Sequence, residues 1–177
     1  MYYELATMTL PFGTASQAAT NVQADATSQA AQGELLGCWF TDIGQLNQMI
    51  VLRGFATLDA LLAERERTQK NANPLGCGEI LQSLEQHSYK GFPWMKPVRP
   101  SAESGIQGPV YEIRTYGIKT GGMQATIDLS QQSLNARSQI RADAVAQGIW
   151  PPKGGPAHLT TNMVSTIAMP TAVSPLK

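Results

Sequence analysis

Residues Tyr2 to Leu10 alternate apolar and polar side chains with a period near two and are rich in Tyr, Leu and Thr, which predicts a strand closed by Pro11 and Gly13. Thr14 can cap a helix after it. Ala15, Ala18, Ala19, Val22, Ala26 and Ala30 then recur at helical spacing, so a helix is expected over 15–32 with a buried stripe made almost wholly of alanine. Such a stripe must pack close. Gly33 ends it, and "LLGCWFT" (35–41) and "LNQMIVLRGF" (46–55) read as two strands of a hairpin turning at 42–45. Thr57 is a natural cap for a second helix over Leu58 to Lys70, with Leu58, Leu61, Leu62 and Arg65 on one side and Asn71 to Pro74 breaking it. A last strand is expected within Ile80 to Tyr89. The order strand, helix, strand, strand, helix, strand is the split βαβ pattern of ferredoxin-like domains, an antiparallel sheet with two helices on one face.

The opening then returns. Laying Tyr111 over Tyr3, an offset of 108 positions, matches Tyr3, Glu4, Thr7 and Gly13 with Tyr111, Glu112, Thr115 and Gly121. "TLDA" at 57–60 is echoed by "SLNA" at 133–136, an offset of 76, so the second copy is about 32 positions shorter and lacks the counterpart of the hairpin. The expected organisation is a complete module at 1–92, a Pro-rich linker at 93–109 in which Trp94 and Met95 can pin the chain to a core, and a shortened module at 110–177. In that second module a strand is expected at Val110 to Ile118 and another at Thr161 to Met169. Between them lie helical sequence from Met123 to Gln147 and the loop "GIWPPKGGP". One unbroken helix there would run about 37 Å, longer than a strand pair, so a break at Ser130 to Ser133 is the alternative.

Composition narrows the partners. Of 177 residues, 42% are hydrophobic, enough for an ordinary core. Thirteen basic and thirteen acidic residues cancel without clustering, which argues against a nucleic-acid or anionic-membrane surface. No apolar run is long enough for a membrane span, and the start of the chain does not read as a signal peptide, so the default location is the cytoplasm. Cys38 and Cys77 lie far apart with no ligand spacing, which suits buried thiols better than a metal site or a disulfide framework. No cofactor motif stands out. "KTGGM" and "PPKGGP" lack phosphate-loop spacing and read as turns, and "AERER" reads as an exposed helical face.

The run "GCWFTDIGQLNQMIVLRGFATLDALLAERER" resembles the NIPSNAP family, as do "VYEIRTYGIKTGGM", like the family's opening strand, and "RADAVAQGIWPPK", like the end of its second helix. The resemblance extends over nearly the whole chain as a tandem. It implies an α+β fold of the dimeric α/β-barrel type, two ferredoxin-like sheets facing one another, here with the second module lacking its central hairpin. It also implies assembly into homo-oligomers. Where the family's hairpin strand usually carries a His and then a Trp, this chain has Val51 and Arg53, so the resemblance supplies no histidine base.

The residues themselves leave several candidates, each with two readings. His87 and His158 stand without a second ligand at metal spacing. Trp39 and Asn47 can line a cleft with one apolar wall and one hydrogen-bonding group, or simply fill and turn the hairpin. Glu4, Glu112 and Arg114 can form a buried acid and base set or cross-strand ion pairs. Arg53 can hold a carboxylate, though a solvated edge is the commoner fate. With Tyr111, the residues Trp39, Asn47, Arg53 and Arg114 make the expected ligand set, with no catalytic residue assigned. The functional expectation is a small organic ligand bound between sheet and helices or between sheets, with room for cofactor-independent catalysis. The alternative is a non-catalytic module acting through oligomerisation and protein contacts. A pocket lined by Trp39, Tyr111 and Arg114 favours the first; a filled interior with an open sheet edge favours the second.

Overall fold

The alternation in the opening strand resolves into two unlike faces. In the computed structural model, which describes residues 1–100, 110–128, 130 and 160–176, β1 (Tyr2–Thr9) buries Glu4, Ala6 and Met8 on one side and turns half-buried residues to the other. β3 (Gln48–Phe55) runs antiparallel beside it, Tyr2 opposite Phe55 and Thr9 opposite Gln48, so Met49, Val51, Arg53 and Phe55 share the face of Glu4. β4 (Ser83–Lys90) flanks β1 on its other side, and β2 (Glu34–Ile43) completes the hairpin with β3, with a bulge between Leu35 and Gly37. The order β4-β1-β3-β2, all antiparallel, is the ferredoxin-like order that the split βαβ pattern predicts. The fold is mixed α/β with an antiparallel sheet and few helices.

α1 (Ala15–Ala26) lays Ala18, Ala19 and Val22 against Ala6, Met8, Leu10, Cys38, Met49 and Val51. It stops six residues short of the expected Gln32. The Thr27 hydroxyl donates back to the Gln23 carbonyl at 2.9 Å, and Ser28 N–H turns to Asp25, a local competition that threonine and serine bring to helix ends. α2 (Leu58–Lys70) has the expected bounds, with the Thr57 hydroxyl accepting from Ala60 N–H at 3.2 Å. Its buried face coincides with the leucine side only at Leu61. Leu61, Glu64 and Thr68 are buried, whereas Leu58 and Leu62 are exposed, because the helix sits over charged residues of β1 and β3 rather than over an apolar stripe.

The chain forms two compact units, Met1–Ile113 with Thr166–Lys177, and Arg114–Ser165, a division by contact that differs from the division by repeat at 110. In the first unit the end of β6 (Thr160–Pro170) pairs with β2, Phe40 opposite Met169 and Thr41 opposite Ala168. The tail continues along that edge: Thr171 N–H donates to Cys38 O, Cys38 N–H to Ser174 Oγ at 3.0 Å, and Leu176 N–H to Leu36 O. The outer edge of β2 is therefore covered, and its ladder is not left open as a template for pairing with another chain. In the second unit the parts of β5 (Tyr111–Ile118) and β6 that belong to it, 114–118 and 160–165, are neighbours, and residues 123–128 are helical. A Cβ on Gly117 would stand 2.9 Å from Thr161 Oγ1, so glycine permits that close approach. Residues 131–133 of the expected break, most of the 123–147 helix, the 148–156 loop and His158 lie outside the described residues.

Candidate functional site

Arg53 is the most unusual residue of the sheet. It is 2% exposed, on the helix-covered face, and not at a solvated edge. Its strand position explains this, since Arg53 is in phase with Met49 and Val51 and directly opposite Glu4, itself 0% exposed. One guanidinium nitrogen donates to Glu4 Oε1 and the other to Glu64 Oε1 of α2, the latter at 2.5 Å. Arg67 closes on Glu64 from the helix, Nη2 at 2.7 Å and Nε at 2.9 Å, and holds Asp25 of α1 through two further bonds at 3.1 and 2.8 Å. Gln32 N–H donates to Glu64 Oε2, and Arg65 Nε reaches Glu4 Oε2 at 3.4 Å. The "AERER" run is thus no exposed face: Glu64 is wholly buried, and the side chains of Arg65 and Arg67 are only 24% and 22% exposed.

This cluster pairs three carboxylates with three guanidinium groups. Burial alone would raise Glu64, but its hydrogen bonds from Arg67 and Gln32 N–H and the charges of Arg53 and Arg67 outweigh burial and hold it below the usual carboxylate range. A carboxylate so held is a poor proton acceptor near neutral pH. The cluster therefore positions α1 and α2 on the sheet rather than moving protons. Cys38 and Cys77 lie in the same core as free thiols, each pushed up to about 11 by burial, so neither is a nucleophile at neutral pH.

The expected ligand set divides. Asn47 lies in the hairpin turn with φ 58°, its carbonyl accepting from Leu10 N–H at 2.9 Å, so it acts as a turn residue that tolerates the left-handed region. Arg53 is committed to the helix face. Arg114 belongs to the second unit and is exposed. Trp39 and Tyr111 do meet, with ring centroids 5.1 Å apart and planes tilted by 48°. They pack on the other face of the sheet with Ile50 and Ala168, flanked by Leu5, Leu52, Ile113 and Leu176. Trp39 is 4% exposed, and both Trp39 Nε1 and Tyr111 Oη are buried without a hydrogen-bonding partner. Two orphaned donors side by side on an apolar wall are a polar demand that the described residues do not meet. His87 is exposed on β4, 3.9 Å from Glu85. Among the described residues no group of three side chains is set to hold a metal, and no helix is long and apolar enough to cross a membrane.

Residues 3–79 match the family model NIPSNAP. A curated relative, the protein NipSnap homolog of Dictyostelium discoideum, is 30% identical over 97 residues, which are 54% of this chain and 42% of that protein, so the chain spans less than half the length of this relative. An uncharacterised NIPSNAP domain protein from Burkholderia xenovorans aligns over 55% of this chain and 100% of its own, at 20% identity and a TM-score of 0.44. A proposed monooxygenase from Lactobacillus acidophilus NCFM aligns over 96% of this chain and 93% of its own, at 6% identity and a TM-score of 0.56, a likeness of fold alone.

Replacing Arg53 by Met leaves Glu4 and Glu64 buried with one guanidinium fewer, and should lower unfolding free energy by about 3 kcal/mol in urea denaturation. The double change Glu4→Leu with Arg53→Met should recover part of that loss. Because Glu64 is depressed in the fold, it contributes stability above the unfolded value of about 4.3 that is lost as pH falls through its folded value. Thermal midpoints measured downward from pH 6 should therefore hold to about pH 4.5 and decline as pH falls further.

Proposed function

Residues 3–79 are a NIPSNAP domain, and from that premise we propose that the protein binds a small organic ligand on the face of its sheet that carries Trp39 and Tyr111. The observation that carries the reading is the pair of adjacent, buried and unpartnered donors, Trp39 Nε1 and Tyr111 Oη. A ligand with a flat apolar body and one or two acceptor atoms would satisfy both, the rings and Leu5, Ile50 and Leu52 supplying apolar contact. The space between sheet and helices is taken by the alanine-rich core and the ion cluster, which moves the ligand to the opposite face. The reading is one of binding and orientation. Catalysis without a cofactor would have to use a group other than Glu64, whose proton affinity is lowered.

A second reading, assembly of copies or contact with another protein, rests on a different observation. Phe12, Ile43 and Leu46 are 92%, 62% and 58% exposed, and the bond from Leu10 N–H to Asn47 O brings the β1 end and the hairpin tip to one end of the sheet. Exposed apolar residues so grouped suit a contact surface.

The ligand reading is tested by indole N–H resonances in a screen of planar, acceptor-bearing fragments. Binders should move the Trp39 signal saturably, and Tyr111→Phe should weaken them about three- to tenfold, the worth of one hydrogen bond. A screen that leaves Trp39 unmoved, or binding indifferent to Tyr111→Phe, contradicts it. For the contact reading, sedimentation velocity at micromolar concentration should show a dimer that Phe12→Ser with Leu46→Ser dissociates, whereas a monomer throughout speaks against it.

A further inference from the structure

A cleft lies where the chain leaves β4, away from Trp39. Lys90 pairs with Tyr2 at the end of the strand, and Gly91 N–H is drawn to Met1 O. Met95 N–H then closes a turn on Phe92 O at 3.0 Å, and Val98 N–H donates to Tyr3 Oη at 2.9 Å, folding residues 92–98 back beside β1 as a strap. Between strap and strand is a cleft of about 200 Å³. Its walls include Tyr3, Phe92, Met95 and two prolines, and its charges are Lys90 and Lys96.

The charge pattern is one-sided. No carboxylate lines the cleft, and among the described residues neither lysine has an ion-pair partner, although Lys70, Arg53, Arg65, Arg67 and Arg99 all do. In a chain of zero net charge, two unpaired ammonium groups beside an aromatic and thioether wall form a local preference for an anion with an apolar body. Tyr3 Oη accepts from Val98 and retains its own proton for donation, which adds a directed bond to the two charges. The volume holds a single ring and a carboxylate, and is well below that of a drug-sized ligand. Trp94, half-buried within the strap, has its ring centroid 5.4 Å from that of Phe92 with the planes tilted by 37°, and stands beside the cleft as a reporter, its Nε1 buried and without a partner among the described residues.

We propose that this cleft is a binding site for a small organic monoanion, of the aromatic or branched aliphatic carboxylate class, seated on Phe92 and Met95 with its carboxylate between Lys90, Lys96 and the Tyr3 hydroxyl. The site is independent of Trp39 and Tyr111. Its occupant is separated from bare inorganic anions by the apolar wall, which they cannot use.

The test is an NMR titration of the whole chain with benzoate, benzamide and inorganic phosphate, read on the Trp94 indole N–H. Benzoate should give a saturable shift at millimolar concentration, with benzamide and phosphate each at least several-fold weaker. Lys90→Gln with Lys96→Gln should weaken benzoate about tenfold, the combined worth of two exposed ion pairs, and Tyr3→Phe should weaken it further. Because Trp94 is read and Trp39 is not, the outcome stands apart from that of the fragment screen; Trp39→Phe should leave benzoate binding unchanged. Benzoate binding that survives the double lysine change, phosphate binding as tightly as benzoate, or no saturable Trp94 shift would each overturn the proposal.

Discussion

The guanidinium of Arg53, clamped between Glu4 of β1 and Glu64 of α2, is the contact on which the rest of this architecture depends. An arginine at 2% exposure is tolerable only where its charge is matched within hydrogen-bonding reach, and removing either carboxylate would strand a buried ion. The requirement fixes three things together. It holds β1 against β3 in the register that sets Glu4 opposite Arg53, it seats α2 so that Glu64 points into the sheet, and through Arg67 it ties α2 to Asp25 of α1. Both helices are thereby held to one face by specific geometry as much as by apolar area, which suits an α1 whose buried stripe is alanine and valine.

That commitment shapes where function can reside. With one face occupied by small apolar side chains and the ion cluster, the opposite face carries hydrogen-bonding capacity of its own. Trp39 and Tyr111 supply that capacity on the opposite face, and Lys90 and Lys96 supply unmatched charge beside the strap. On the proposed reading, the sheet divides labour between its faces, structure on the helix side and recognition away from it. The C-terminal segment serves the structural side as well, since β6 and residues 171–176 hydrogen-bond along β2 and close the edge next to Trp39.

Much of the frame was legible in the sequence because local signals agreed with the final packing. The bounds of α2 follow from Thr57 as a cap and the Asn71 to Pro74 breaker, and the hairpin follows from two apolar runs around a polar turn. The ion cluster was hidden for a physical reason: Glu64, Arg65 and Arg67 sit on a helix at spacings that solvated faces also use, and only tertiary placement distinguishes the two. A signal was nevertheless present. Glu4 is in phase with Ala6 and Met8, and Arg53 with Met49 and Val51, so the period of two already placed both charges inward. The candidate site was half legible. Trp39 and Tyr111 come together as a pair, whereas Asn47 is spent on a turn and Arg53 on the other face, because strand phase, and not proximity along the hairpin, decides which side a residue serves.

The division between a structural and a recognising face is tested most directly by crystals soaked with a set of planar, acceptor-bearing fragments. The account predicts density against Trp39 and Tyr111, with a ligand acceptor within about 3 Å of Nε1 or Oη, and an Arg53 cluster unchanged between free and soaked crystals. Fragments lodged instead between the helices and the sheet with Arg53 drawn away from Glu4 and Glu64, or Trp39 Nε1 and Tyr111 Oη already bonded to protein groups, would contradict it.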